Sequence, residues 1–262
     1  MEEHANQAPV QPDNAKQEIG TYWDVFLEPS KCFEGLNLRP RWLVPMVLCV
    51  VIAFVTSLVI YSRVDMEHVI REQITSNPRA AQLTGEQLEQ QVEMGAKFGK
   101  ISALAGPVIV VPLFMFLTAG LIMLGEFILG SEVNSRDYQA DGAENKPGFV
   151  RVLSISASSL FFYNVVAGIL AITVVLISSE PNSLNLRNLV STNPAFLVDA
   201  NESKALYAFL SHLDILAWYT IYLIGLGISK ITAKCSVVKG MVIIGFWYVL
   251  YALAHTGISA LF

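Results

Sequence analysis

The chain has 262 residues, of which 53% are apolar and 15% are charged, and its mean hydropathy is +0.50. A soluble domain carries about 25% charged residues, so this composition excludes an ordinary soluble protein and indicates a membrane protein. The net charge of -5 is spread over the loops, and this excludes the basic surface that a nucleic-acid partner requires.

Residues 1–20 contain almost no large apolar side chain, and we predict a disordered tail there. Residues 22–38 are too short and too charged to span a bilayer, yet too apolar to stay in water. Their apolar side chains are Trp23, Phe26, Leu27, Phe33 and Leu36. We predict that this segment lies flat on the cytosolic leaflet or against the bundle. Pro29 should divide it into two short helical pieces.

We expect residues 22–38 to provide contact with a partner more than stability. The predicted membrane spans bury their own surface, so removal of residues 1–38 should leave a stable bundle. Arg39 and Arg41 flank Pro40 and precede Trp42, as expected for basic and aromatic anchors at the headgroups.

Five apolar stretches follow, and we predict an all-α polytopic bundle of five transmembrane helices within one membrane domain, residues 21–262. The predicted spans are residues 42–61, 101–129, 152–179, 205–229 and 241–262. Pro107 and Pro112 should kink the second span.

Between the first two spans we predict a short extramembrane helical hairpin. Met66, Val69, Ile70 and Ile74 recur at helical spacing, so the first helix should continue past the membrane surface. Asn77-Pro78 should end it. Thr84 and Gln87 then form a capping box at the start of the next helix.

Five spans place the termini on opposite sides of the membrane. The loop between the last two spans carries Lys230, Lys234 and Lys239 and no acid, directly beside the bilayer. The positive-inside rule therefore predicts a cytosolic N-terminus and an outside C-terminus.

The sequence has no nucleophile elbow, no phosphate loop and no cluster of metal ligands at a recognisable spacing. We therefore predict no catalytic residue, no cofactor, no metal and no enzymatic activity. Polar groups inside spans remain as candidates, because they are costly there. These are Glu126, Asn164, Asp214 and His255.

Each of these residues has two interpretations. Glu126 either lies inside the hydrocarbon and handles protons or ions, or reaches headgroup water at the cytosolic end. Asp214 has the same alternatives at the outer surface. Asn164 and His255 either bond a neighbouring helix or bind a ligand.

Several motifs together resemble the Yip (Ypt-interacting protein) domain family in its prokaryotic form. They are Asp24-Val25-Phe26-x-x-Pro29, Phe33-Glu34-x-Leu36, Pro40-Arg41-Trp42-Leu43-x-Pro45, Arg71-Glu72-Gln73-Ile74, Gly85-Glu86-Gln87-Leu88-Glu89, Leu213-Asp214-Ile215 and Gly225-Leu226-Gly227. The resemblance implies five membrane helices with a cytosolic N-terminus. Eukaryotic members are linked to Rab-type GTPases, but their Asp-Leu-Tyr-Gly-Pro signature is absent here, so GTPase binding is not implied.

Two functions of different kinds follow. The first is a non-enzymatic scaffold or adaptor in a prokaryotic inner membrane, whose interfacial segment and anchors, including Arg39 and Arg41, contact lipid or a cytosolic or membrane protein. The alternative is a transporter or lipid-handling protein that uses Glu126, Asn164 and Asp214, which requires that these side chains line one polar cavity. An intramembrane hydrolase has only the serine cluster at the start of the third span in its favour.

Overall fold

The regular structure of the described residues is helical. The computed structural model describes residues 20–75, 83–128, 148–190, 192–199, 202–232 and 235–261. The α-helices are α1 (Pro29–Leu38), α2 (Leu43–Arg63), α3 (Met66–Thr75), α4 (Gly85–Ile128), α5 (Gly148–Ile177), α6 (Lys204–Ser211), α7 (Ile215–Ile231) and α8 (Val237–Leu261). The predicted tail up to residue 19, the predicted helix end at Asn77-Pro78 and most of the loop after the second span lie outside these ranges.

Four helices, α2, α4, α5 and α8, are each long and apolar enough to cross a membrane, and the bent pair α6–α7 gives a fifth candidate crossing when its two parts are counted as one span. This confirms the predicted all-α bundle. The second span is longer than predicted, because α4 is one helix that includes both the hairpin residues and the membrane residues.

The fourth predicted span, residues 205–229, is not one straight helix. Its two parts, α6 and α7, meet at 42°. The break follows from Asp214, whose side chain accepts a hydrogen bond from the Ala217 amide at 2.9 Å and so caps the start of α7.

Helix α5 is the centre of the bundle. Its residues 151–161 are all buried, so this stretch is covered on every side. Helices α2, α4 and α7 and the N-terminal segment all pack against α5. Beyond α7, helix α8 completes the bundle, and the backbones of Gly225 and Gly240 meet at the α7–α8 crossing. A Cβ on Gly240 would lie 2.5 Å from the Gly225 carbonyl oxygen, so this approach requires glycine.

The predicted hairpin is present, with one correction at its start. Helix α2 ends at Arg63 and does not continue, because Asp65 begins a separate helix by accepting hydrogen bonds from the Glu67 and His68 amides. Arg71 of α3 then donates two hydrogen bonds, 2.7 and 2.8 Å long, to the Glu89 carboxylate of α4. These bonds raise the pKa of Arg71 above its ordinary value.

The capping box predicted at the start of α4 is confirmed. The Thr84 amide donates to Gln87 Oε1 at 2.9 Å, and the Gln87 amide donates to Thr84 Oγ1 at 3.3 Å. Two backbone amides at the start of α4, which have no carbonyl partner within the helix, are thus paired with side chains three positions away.

The N-terminal segment, residues 22–38, consists of two short helices, Tyr22–Val25 and α1, with the second beginning at Pro29 as predicted. It packs against α5 and α7 instead of lying flat. The Phe26 ring packs against the rings of Phe161 and Phe162, and its centroid lies 5.6 and 5.5 Å from theirs. The sequence left two positions open for this segment, on the leaflet or against the bundle, and the structure shows the second.

Burial of this segment differs from our expectation that it adds little to stability. Val25, Cys32, Phe33 and Leu36 are buried and belong to the same apolar core as α5 and α7. The bundle therefore does not bury its own surface without the segment. Full burial of a Val, Leu or Phe side chain stabilises by about 1.5 to 3 kcal/mol relative to leaving it in water.

The first prediction tests this structural role. Phe33→Ala should lower the free energy of unfolding by about 3 to 5 kcal/mol, because it leaves a cavity between α1, α5 and α7. Leu27→Ala is the matched control, since Leu27 is 90% exposed. Thermal unfolding of the detergent-solubilised protein measures both. Equal melting temperatures for the wild type and Phe33→Ala would show that the segment is not part of the core.

The second prediction tests the orientation. The cysteines Cys32, Cys49 and Cys235 are all buried, so a membrane-impermeant thiol reagent should label the wild type weakly. In intact cells, Glu202→Cys should label readily and Ser236→Cys should not. Both positions are exposed, but they lie on opposite sides of the bundle, and the predicted orientation places only Glu202 outside the cell. Labelling of Ser236→Cys alone would reverse the predicted topology.

Candidate functional site

Glu126 lies in the last turn of α4 and is only 1% exposed. Thr232, which follows α7 and is equally buried, donates a hydrogen bond of 2.7 Å to Glu126 Oε1. Glu126 Oε2 has no hydrogen-bond partner among the described residues. The carboxyl group therefore links the end of α4 to the connection between α7 and α8.

The sequence left open whether Glu126 reaches headgroup water. The structure encloses it in protein instead, so it is not a surface residue of the bundle. The Thr232 partner was not identified from the sequence, because it is 106 positions away and a single threonine beside a lysine-bearing loop has no recognisable pattern.

Asp214 has a local structural role. In addition to capping α7, it accepts a hydrogen bond from the Thr192 hydroxyl of the preceding loop. The Ile215 amide also donates to the Thr192 carbonyl, at 3.2 Å. Asp214 therefore holds the break of the fourth span and the loop together.

Asn164 and His255 also bond protein groups. Asn164 donates to the Leu160 carbonyl of its own helix at 2.9 Å, so it does not reach across to a neighbour by this bond. His255 of α8 lies 3.0 Å from His212, measured from Nδ1 to Nε2. Tyr248 donates to the His212 carbonyl at 2.9 Å, and both contacts tie α8 to the break between α6 and α7.

The serine cluster of α5 is fully buried and includes Ser154, Ser156, Ser158 and Ser159. Ser154 donates to the Val150 carbonyl, and Ser156 donates to the Met115 carbonyl of α4 at 3.1 Å. The Ser158 and Ser159 hydroxyls have no partner within the described ranges. Both partners are backbone carbonyls, so neither bond activates a nucleophile. The Ser154 bond lies within α5, and of these two bonds that of Ser156 joins two helices.

The predicted polar candidates lie in separate parts of the bundle. Glu126 is bonded just beyond the C-terminal end of α7, and Asp214 caps the N-terminal end of the same helix. Helix α7 has 17 residues and is about 25 Å long at 1.5 Å per residue. A cleft of about 520 Å³ lies elsewhere, between α3 and residues 179–183. Within the described part of the chain no three His, Cys, Asp or Glu residues are placed to hold a metal.

The interfacial candidates divide into two groups. Phe33 and Leu36 are buried and Phe26 is half-buried, whereas Trp23, Leu27, Arg39 and Arg41 are exposed. The polar edge of α1 is held by Lys230, whose ammonium group lies 2.6 Å from Glu34 Oε1 and whose carbonyl accepts a bond of 3.1 Å from Asn37. Sequence reasoning missed this link, since Glu34 and Lys230 are 196 positions apart.

These features define a class of protein. The chain is a multi-pass helical membrane protein with an N-terminal segment docked on one end of its bundle. The Yip1 domain family model matches residues 23–258, and the chain belongs to this family. No curated protein and no solved structure matches the chain.

The third prediction tests the Glu126–Thr232 link. Thr232→Val removes the only hydroxyl donor to Glu126 in the described structure and should destabilise the protein by about 1 to 3 kcal/mol, because a buried acceptor loses its partner. Glu126→Gln should be tolerated better, since the amide oxygen still accepts from Thr232. Thermal unfolding measures both effects. Thr173→Val is the control, because the exposed Thr173 bonds only its own helix. Equal stability of the two threonine variants would contradict the link.

Proposed function

We propose that this protein is a non-enzymatic membrane scaffold or adaptor, and that the N-terminal side of its bundle is the contact surface for a protein partner or lipid headgroups. The observation that carries the proposal is the docked N-terminal segment. Its apolar side is buried against α5 and α7, and its charged edge is held in place by Lys230. A surface that is ordered before binding loses less conformational entropy on association.

The exposed charges beside the segment are suited to such contacts. Arg39 and Arg41 are exposed and precede the half-buried Trp42, as in a basic and aromatic anchor at the headgroup level. The Glu34 side chain stays 58% exposed although it is paired with Lys230. The surface thus offers both signs of charge within a few residues of the bilayer.

The alternative, a transporter or lipid-handling protein, has weaker support. It requires Glu126, Asn164 and Asp214 to line one path, but each is hydrogen-bonded to another protein group and the two acids are at opposite ends of α7. The buried Glu126 carboxyl is the one feature that favours it, because buried acids serve proton transfer in many membrane proteins.

We place the protein in the cytoplasmic membrane of a prokaryote, with this contact surface facing the cytosol. Lys230, Lys234 and Lys239 lie at or between the adjoining ends of α7 and α8, and they support that orientation through the positive-inside rule. The docked segment is on the same side as these lysines, because Lys230 contacts Glu34.

The fourth prediction tests the contact surface by photo-crosslinking in native membranes. A photoreactive amino acid at Arg41 should crosslink to a discrete protein or to lipid headgroups. The same group at the exposed Glu202, on the opposite side, is the control and should not give the same product. A photoreactive amino acid at Glu34 should also give a crosslinked product, and the Arg39→Gln/Arg41→Gln double variant should lose that product. The topology of the double variant is checked with Ser236→Cys labelling, since the arginines also orient the chain.

A flux measurement in proteoliposomes distinguishes the alternative. A scaffold should show no pH-driven flux that depends on Glu126, so Glu126→Gln and the wild type should behave alike. A flux that the wild type supports and Glu126→Gln abolishes, together with no crosslink from Arg41, would contradict the scaffold function and support the transporter function.

A further inference from the structure

The connection between α6 and α7 interrupts the helical hydrogen bonding of the bent pair. Residues 212–214 lie between the two helices, which meet at 42°. The His212 and Leu213 amides each donate to a carbonyl only three positions back, those of Phe209 and Leu210. Such bonds tighten the last turn of a helix and end it. The position of this connection therefore depends on contacts with other helices.

Two polar contacts from α8 hold the connection. Tyr248 donates to the His212 carbonyl at 2.9 Å, and His255 Nδ1 lies 3.0 Å from His212 Nε2. The two imidazole rings are nearly perpendicular, with their centroids 5.1 Å apart. His255 follows Tyr248 by about two helical turns. The histidine contact thus holds the end of α8 that lies beyond the tyrosine contact.

The histidine contact requires that one of the two facing nitrogens carries no proton. A neutral imidazole has one donor and one acceptor nitrogen, whereas an imidazolium has two donors and no acceptor. One ring can donate to the other when the pair holds no extra proton or one extra proton. When both rings are protonated, the bond is lost and two positive charges repel at close range. The two rings therefore titrate as one coupled unit.

The surroundings of the pair do not neutralise a second positive charge. The titratable and charged groups near it on the elements packed around it are Tyr248 and Tyr251 of α8, Asp214 at the start of α7, Tyr163 of α5, and Lys204 and Tyr207 of α6. Tyrosine hydroxyls ionise only near about pH 10, and Lys204 adds a positive charge. The Asp214 carboxylate accepts hydrogen bonds from the Ala217 amide and the Thr192 hydroxyl, so it is held by α7 and the preceding loop.

The pair lies at an end of the bundle that water can reach. Thr192, which bonds Asp214, belongs to the irregular polar connection between α5 and α6. Irregular backbone is not exposed to hydrocarbon, because its polar groups need partners. His255 is exposed and His212 is half-buried. Protons therefore reach the pair from the side of the membrane that carries this connection.

We propose that His212 and His255 form an acid-sensitive latch between the end of α8 and the connection between α6 and α7. At neutral pH a hydrogen bond joins the two rings. In acid both rings are protonated, and the end of α8 beyond Tyr248 moves away from the connection. The Tyr248 bond and the packing of α6 against α8 do not titrate in this range, so they limit the change to a local opening.

This response goes beyond the scaffold function and requires no partner. In the orientation proposed above, the latch responds to acidity outside the cell. The chemistry of the histidine pair itself does not depend on that orientation, so the latch can be tested independently of the scaffold.

Distances between spin labels on the full-length protein in lipid nanodiscs test the latch. Labels on Leu213→Cys and Ile258→Cys, at two exposed positions, report the opening. Labels on Leu213→Cys and Val242→Cys are the matched pair, because Val242 is also exposed and precedes Tyr248. Between about pH 7.5 and about pH 4.5, on either side of the ordinary histidine value, the first distance should lengthen. Its midpoint should lie below about pH 6.5, and the second distance should stay constant.

Three variants locate the effect. His255→Gln and His212→Gln should each abolish the acid-induced change, since glutamine takes up no proton and only one ring can then be charged. His68→Gln, at an exposed position of α3 outside the pair, is the control and should retain the change. Thermal unfolding at neutral pH confirms that each variant is folded.

A constant distance between the labels at positions 213 and 258 in acid would overturn the proposal. An equal lengthening of the matched pair would also contradict it, because that result indicates a general loosening of the bundle. The same conclusion follows if either glutamine variant of the pair retains the change or if His68→Gln removes it.

Discussion

The packing around the first half of α5 is the constraint on which the rest of the structure depends. Residues 151–161 are buried on all sides, so α2, α4, α7 and the N-terminal segment each take their position from one helix. Lipid is as apolar as a leucine side chain, so helices in a bilayer associate through close packing and polar contacts. The serines of α5 serve this need, because they are small and because Ser156 donates to the Met115 carbonyl of α4.

Sequence patterns predicted the structural features that depend on residues close together in the chain. The charge-free stretches identified the spans, and Thr84 with Gln87 identified a helix start, because both signals lie within one element. The break at Asp214 was missed, since an acid inside an apolar stretch is equally consistent with an interfacial position. The Glu126–Thr232 and Glu34–Lys230 contacts depend on helices meeting in space, and no local pattern contains that information.

The same reasoning explains why the position of residues 22–38 was predicted only in part. An amphipathic segment has one apolar side whether it lies on lipid or on a protein groove, so periodicity alone does not decide between them. The groove itself is made by Phe161, Phe162 and Gly227, which are contributed by two other helices. The division into two short helices was predicted from Pro29, because a proline restricts the conformation of its own backbone.

Docking of the segment depends more on apolar burial than on its ion pair. The Lys230 and Glu34 side chains are 28% and 58% exposed, and pairs accessible to water contribute about 0.2 to 1 kcal/mol. Phe33 and Leu36 are almost completely buried, and each such side chain contributes about 1.5 to 3 kcal/mol relative to water. The apolar contacts therefore contribute more than the ion pair to holding α1 on the bundle. A surface held in this way stays formed when salt screens its charges, and a scaffold needs that persistence.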